Sequence, residues 1–109
     1  REFNREISLM SLLTHSCLIS VYGAGIKDNC KPFIVSQLAD RGCLYNILFP
    51  ENEKDRVDIS SDRILLWAQE TAAGMRYLHS VGIIHRDLKS LNLLITEDWH
   101  CRVTDYGAS

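Results

Sequence analysis

No apolar run in this 109-residue chain comes near the about 20 residues that a membrane-crossing helix needs; Ile64-Leu65-Leu66-Trp67-Ala68 is among the longest. Arg1 to Glu6 lacks the apolar centre of a secretory leader. The four cysteines, Cys17, Cys30, Cys43 and Cys101, lie 13, 13 and 58 positions apart, with no CxxC and no Cys/His pair at zinc spacing. They read as free thiols in a reducing compartment, so a cytoplasmic location is expected. Basic charge is not in excess: 12 Lys+Arg stand against 14 Asp+Glu, a formal net charge of −2, which excludes a strong electrostatic nucleic-acid binder. There is no internal repeat, no low-complexity segment and no initiator methionine, so residue 1 is expected to lie inside a longer chain. With 46% hydrophobic and 24% charged residues, the composition is that of a globular protein that buries a core.

Phe3, Glu6, Met10 and Leu13 recur at steps of 3, 4 and 3, one side of a helix that should end before His15. Glu6 then lies in an apolar stripe, and its helical neighbours Glu2, Phe3, Leu9 and Met10 include no cation. Either it has a cationic partner elsewhere or it sits at the edge of the stripe and reaches water. The apolar runs Leu18 to Tyr22 and Pro32 to Leu38 flank a turn-like stretch containing Gly23, Gly25, Asp28 and Asn29, the pattern of an antiparallel hairpin. Asp40 to Gly42 interrupts, Cys43 to Leu48 suits a short helix, and Pro50 to Ile59, with six charged residues in ten, reads as a solvated connection. Ile64, Ala68, Thr71, Met75 and Leu78 step by 4, 3, 4 and 3, with Ser60 or Ser61 as N-cap and Gly82 just past the end. Beyond this helix Ile83-Ile84, Leu93 to Ile95 and Cys101 to Val103 are short apolar pieces, expected in loops and short strands.

His85-Arg86-Asp87-Leu88-Lys89-Ser90-Leu91-Asn92 is followed, after the short strand pair, by Asp105-Tyr106-Gly107. In order and spacing this resembles two adjoining signatures of the protein kinase family. Five fixed positions would arise by chance in a chain of this length roughly once in 30,000 trials. Taken singly, each loop Asp or Asn would be read as a helix or turn cap.

The resemblance implies transfer of the γ-phosphate of ATP to Ser/Thr hydroxyls of a protein substrate, with Mg2+, or Mn2+ in its place, held by Asn92 and Asp105. Asp87 would orient the substrate hydroxyl and accept its proton, and Lys89 would reach the transferring phosphate. His85 is implied to pack in a hydrophobic spine and Arg86 to be available to a phosphorylated activation loop. Tyr106 replaces the usual Phe and adds a hydroxyl that needs a partner if buried. Phe3-Asn4-Arg5-Glu6, with His15 and Val21-Tyr22-Gly23 after it, looks like the family's C-helix and fourth strand, where Glu6 would pair with a third-strand lysine. Ile34-Val35-Ser36-Gln37-Leu38-Ala39 resembles the fifth strand and hinge. There Ser36 would be the gatekeeper, the backbone of Gln37 and Ala39 would contact adenine, and Leu94 would pack under the ring, although core packing alone also accounts for Leu94. Cys43, at the lip of that pocket, is expected to be the most accessible of the four thiols to a nucleotide-site electrophile. The wording from Val81-Gly82-Ile83-Ile84 through Asn92 resembles the tyrosine-kinase-like group, whose members mostly phosphorylate Ser and Thr, and Lys89 favours the same specificity.

The implied fold is α+β, a partial two-lobe kinase-like fold. Residues 1–36 would supply the small-lobe helix and strands 4 and 5, 37–43 the hinge, and 44–109 the large lobe through the metal-binding Asp-Tyr-Gly. A kinase domain has about 250 residues, and the Gly-rich loop, the Val-Ala-Ile-Lys strand and the Ala-Pro-Glu segment have no counterpart here. The chain is therefore expected to be an internal piece, inactive alone. A pseudokinase or signalling scaffold would share the fold, and its usual sign is loss of a catalytic or metal residue; Asp87, Asn92 and Asp105 are all present, while the third-strand lysine is not among these residues. A pure interaction module would leave both signatures unexplained.

Overall fold

The computed structural model describes residues 10–106. Glu6 and most of the expected first helix lie outside them; residues 10–12 are helical, and Met10 and Leu13 are buried.

Val21–Ile26 forms β1 and Pro32–Ser36 forms β2, antiparallel in the register Val21↔Ser36, Ala24↔Ile34 and Ile26↔Pro32. The reversal is confined to residues 27–31, where the Lys27 N–H donates to Lys31 O and the Cys30 N–H to Lys27 O, both at 2.8 Å. The first strand thus begins later than Leu18 to Tyr22 suggests and takes in both glycines expected in the turn. Their place in a strand has a physical reason. Gly23 adjoins an irregularity in the ladder, and Gly25 lies under the Phe33 ring, where a Cβ would fall 2.4 Å from Cζ. β2 also stops at Ser36, short of Leu38. Residues 17–19 join a different partner: the Val103 N–H donates to Cys17 O at 2.8 Å and the Ile19 N–H to Val103 O at 2.9 Å.

Leu44–Leu48 forms α1, with Cys43 at its N-cap. The charged connection after it holds a single 3-10 turn, Glu53–Asp55, and an exposed Arg56–Glu53 ion pair at 2.6 Å. Ser61–Ser80 forms α2, capped by Ser60, whose Oγ accepts the Arg63 N–H at 3.1 Å. At the other end Gly82 takes φ +86°, the Ile83 N–H donates to Leu78 O at 2.9 Å and the Gly82 N–H to His79 O at 3.1 Å. This pair of bonds around a left-handed glycine stops the helix, and Leu78 and Ile83 share one core cluster beside it.

The expected stripe Ile64, Ala68, Thr71, Met75 and Leu78 is fully buried only at Leu78. Trp67, Gly74 and Leu78 are buried, whereas Ile64 and Ala68 are exposed. With Thr71 and Met75, those two line an apolar groove of about 480 Å³ bounded across from them by Leu44, Leu48, Leu88 and Leu93. Gly74 explains the rotation: a Cβ there would lie 2.9 Å from Cys17 O and 3.2 Å from Val103 Cγ2, so its absence lets the helix backbone settle onto these residues.

Leu93–Ile95 forms β3 and Cys101–Val103 forms β4, antiparallel with Leu94↔Arg102. Leu18, Val21, Leu78, Ile83, Val103 and Tyr106 meet in one buried cluster, and Trp67, Ile95 and Cys101 in a second. Two small antiparallel sheets packed with helices make the described part α+β, as expected from the sequence.

Candidate active site

The loop between α2 and β3 is organised by a histidine and an asparagine, both buried. His85 Nδ1 accepts the Asp87 N–H at 3.1 Å, which leaves the ring proton on Nε2 to donate to Thr104 O at 2.8 Å. Asn92 Nδ2 donates to Asp87 O at 2.7 Å, the Asn92 N–H to Lys89 O at 2.8 Å, and Asn92 O accepts the Thr104 N–H at 3.0 Å. Thr104 is therefore held through both its backbone groups, and the residue after it is Asp105. Thr104 carries no signal in residue identity, because its contribution is entirely main-chain.

These bonds leave the side chains of Asp87, Lys89 and Asp105 facing solvent. Asp87 Oδ2 and Lys89 Nζ are 3.5 Å apart, an exposed pair of the kind that contributes little to stability. Asp105 takes φ +63°, a left-handed conformation that few non-glycine residues adopt. Its carboxylate and Asn92 Oδ1 have no hydrogen-bond partner among the described residues. Two oxygen donors of this kind suit a hard divalent cation that takes its remaining ligands from phosphate and water. Tyr106 is fully buried, and its hydroxyl finds the partner it needs in Ile19 O at 2.6 Å. Burial pushes the phenol up to about 12.

Ser36, Gln37 and Ala39 lie along the extended exit from β2. Among the described residues Ser36 Oγ makes only a long 3.5 Å contact to Gln37 O. The Gln37 N–H is committed to Ser20 O at 2.8 Å, and Ala39 O accepts the Gly42 N–H at 3.1 Å. The Ala39 N–H has no partner among the described residues and Gln37 O takes only the long Ser36 Oγ contact among them, so an acceptor on Gln37 and a donor on Ala39 remain available two residues apart. β3 is bound to the end of this segment: the Arg41 N–H donates to Ile95 O at 3.1 Å, the Ile95 N–H to Gly42 O at 2.8 Å, and Cys43 bridges to Leu94. Leu94 is half-buried. Glu6 lies outside the described residues.

Of the four thiols, Cys30, in the β1–β2 turn, is the one exposed to solvent, whereas Cys43 is half-buried where its backbone bridges to β3. Cys101 is buried, and burial pushes its thiol up.

The sequence model of the protein tyrosine and serine/threonine kinase family matches residues 1–109. The chain is 40% identical over 109 residues to a Dictyostelium discoideum protein named a probable serine/threonine-protein kinase, covering 100% of this chain and 8% of that protein. It is 42% identical over 108 residues to the RGS domain-containing serine/threonine-protein kinase A of the same organism, covering 99% of this chain and 9% of the relative. To the human serine/threonine-protein kinase TNNI3K it is 40% identical over 109 residues, covering 98% and 13%. The chain thus spans only 8% to 13% of the length of these relatives. A match along the whole sequence, with Asp87, Asn92 and Asp105 joined through Thr104, makes the chain a member of the protein tyrosine and serine/threonine kinase family.

Proposed function

We propose that the protein carrying this chain is an ATP-dependent protein kinase of the tyrosine-kinase-like group that phosphorylates Ser and Thr of protein substrates in intracellular signalling, in the cytoplasm. The observation that carries the reading is Asn92, which is hydrogen-bonded at once to Asp87 O and to the N–H of the residue preceding Asp105. Asn92 thereby ties the proposed general base, through its side-chain amide, to the residue before the proposed metal ligand, through its main-chain carbonyl.

In this reading Asp87 accepts a hydrogen bond from the substrate hydroxyl, orients it and takes its proton. Lys89, within 3.5 Å of Asp87, offsets negative charge gathering on the transferred group. Asn92 Oδ1 and the Asp105 carboxylate hold Mg2+, with Mn2+ a substitute. Bound there with ATP, the ion supplies charge neutralisation at the phosphates. The carbonyl of Gln37 and the N–H of Ala39 match the donor and acceptor on the edge of adenine, Ser36 borders the base, and Leu94 packs under it. Glu6 serves the nucleotide phosphates through a lysine partner. Residues 1–36 belong to the small lobe, 37–43 to the hinge and 44–109 to the large lobe. Residues 1–109 by themselves are inactive, since they contain no Gly-rich loop.

The test is a transfer assay on the intact protein with Mg2+, γ-labelled ATP and matched Ser, Thr and Tyr peptides. Label on Ser and Thr peptides is expected. Preference for Tyr overturns the specificity, and nucleotide binding without transfer to any protein or peptide overturns the kinase assignment in favour of a scaffold.

A further inference from the structure

The turn between β3 and β4 carries an anomaly that phosphoryl transfer does not use. Trp99 takes φ +65°. A tight reversal, closed here by the Trp99 N–H to Thr96 O and the Thr96 N–H to His100 O at 2.9 Å each, commonly places glycine or asparagine at such a residue. A bulky aromatic side chain is strained there and persists only when its surroundings over-determine it. Trp99 has such surroundings. Trp99 O accepts Arg63 Nη1 at 3.0 Å and Trp67 Nε1 at 2.8 Å, and the two indole rings stack with centroids 6.5 Å apart and planes 21° from parallel. The guanidinium carbon of Arg41 sits 3.9 Å above the Trp99 ring, and Arg41 Nε donates to Glu97 O at 3.0 Å.

A glycine would make the turn without strain. What glycine cannot supply is a flat π face for a cation. Arg41 belongs to the segment that leaves Ala39, and its own N–H, together with the Ile95 N–H, ties that segment to β3 next to Leu94. The side chain of Arg41 therefore reinforces, from the far side of the turn, the same junction that its backbone makes.

We propose that Arg41 and Trp99 form a clamp that positions residues 37–43 against β3 and thereby sets the affinity of the site for the adenine of ATP. The proposal rests on the nucleotide reading of Gln37, Ala39 and Leu94 given above. Arg41 and Trp99 are positioning residues: neither touches substrate, and both act through the registration of the hinge segment on β3. The clamp requires the ring and the charge, so Trp99→Phe should retain function while Trp99→Gly, which suits the turn better, should not.

The experiment compares the intact wild-type protein with Arg41→Ala, Trp99→Gly and Trp99→Phe by steady-state kinetics and by hydrogen exchange at the Arg41 and Ile95 amides. Arg41 is exposed, so its variant is expected to fold. Arg41→Ala and Trp99→Gly should raise KM for ATP about two- to fivefold, the factor corresponding to a partly exposed cation–π contact, with kcat held. Both should speed exchange at the two amides. Trp99→Phe should restore wild-type KM and protection, and the double variant Arg41→Ala/Trp99→Gly should be no worse than either single change. An unchanged KM in Arg41→Ala, with wild-type turnover intact, overturns the clamp's role in nucleotide affinity. Wild-type failure to bind a fluorescent ATP analogue overturns the kinase reading instead, and amide exchange then still judges the contact: unchanged protection in Arg41→Ala refutes the clamp itself.

Discussion

The hydroxyl of Tyr106 donates a 2.6 Å hydrogen bond to the main-chain carbonyl of Ile19, 87 residues earlier in the chain. The Ile19 N–H meanwhile donates to Val103 O, so Ile19 is held on one side by β4 and on the other by the residue following Asp105. Asp105 consequently lies between two anchored neighbours, Thr104 and Tyr106. A left-handed aspartate costs on the order of 1 kcal/mol, and this double anchoring holds the carboxylate in that conformation.

Replacing Tyr106 by Phe keeps the ring but leaves the Ile19 carbonyl buried without its donor. A loss of about 1 to 3 kcal/mol is expected, read as a lower urea midpoint with the slope unchanged. Equal midpoints for the two proteins would mean the bond carries no net stability.

The same hydroxyl predicts an alkaline weakness. Burial raises the folded-state pKa from 10.0 to about 12, so folding favours the protonated phenol. That contribution is complete below pH 10 and is lost as pH rises through the window to 12, on the order of 2 kcal/mol in total. Melting temperatures measured across this window should fall more steeply for wild type than for Tyr106→Phe. Parallel profiles would assign the alkaline loss to other groups.

Gly74→Ala sets helix propensity against packing. Alanine is favoured over glycine inside a helix by about 1 kcal/mol, but its Cβ would meet the Cys17 carbonyl at 2.9 Å, and that backbone is fixed by its bond to Val103. Overpacking of this kind costs about 1 to 3 kcal/mol, so a net destabilisation is expected in thermal melts. Gly82, with φ +86° and open space around it, should respond to alanine through backbone strain alone.

Features signalled by side-chain chemistry were legible in the sequence: the cap and stop of α2 from Ser60 and Gly82, the β3–β4 pair, and the His85 to Asn92 loop with Asp105. Features set by backbone approach were not. Gly23 and Gly25 read as turn residues because glycine marks turns and ring-covered strands alike. Of the stripe Ile64, Ala68, Thr71, Met75 and Leu78, only Leu78 is buried in the core and the other four line the groove, because the closer-packed face is marked by Gly74, which has no side chain to show in a hydrophobic pattern. Tyr106 announced the need for a partner, but a main-chain carbonyl such as that of Ile19 leaves no trace in residue identity. Nor did Trp99 reveal its left-handed backbone, since tryptophan is among the least expected residues there.

The most direct measurement of the proposed chemistry is transfer by Asp87→Asn beside its ATP affinity, in the intact protein. The loop holds Asp87 through backbone groups, its N–H to His85 and its carbonyl from Asn92, and among the described residues the carboxylate makes only the exposed contact to Lys89, so asparagine should leave the fold undisturbed. The expected result is a fall in kcat of roughly 10²- to 10⁴-fold, the usual worth of a positioned general base, with ATP affinity within about twofold of wild type, as for a group that acts on the hydroxyl and not on the nucleotide. Undiminished turnover in this variant would contradict the assignment of Asp87 and, with it, the reading of the loop as the site of phosphoryl transfer.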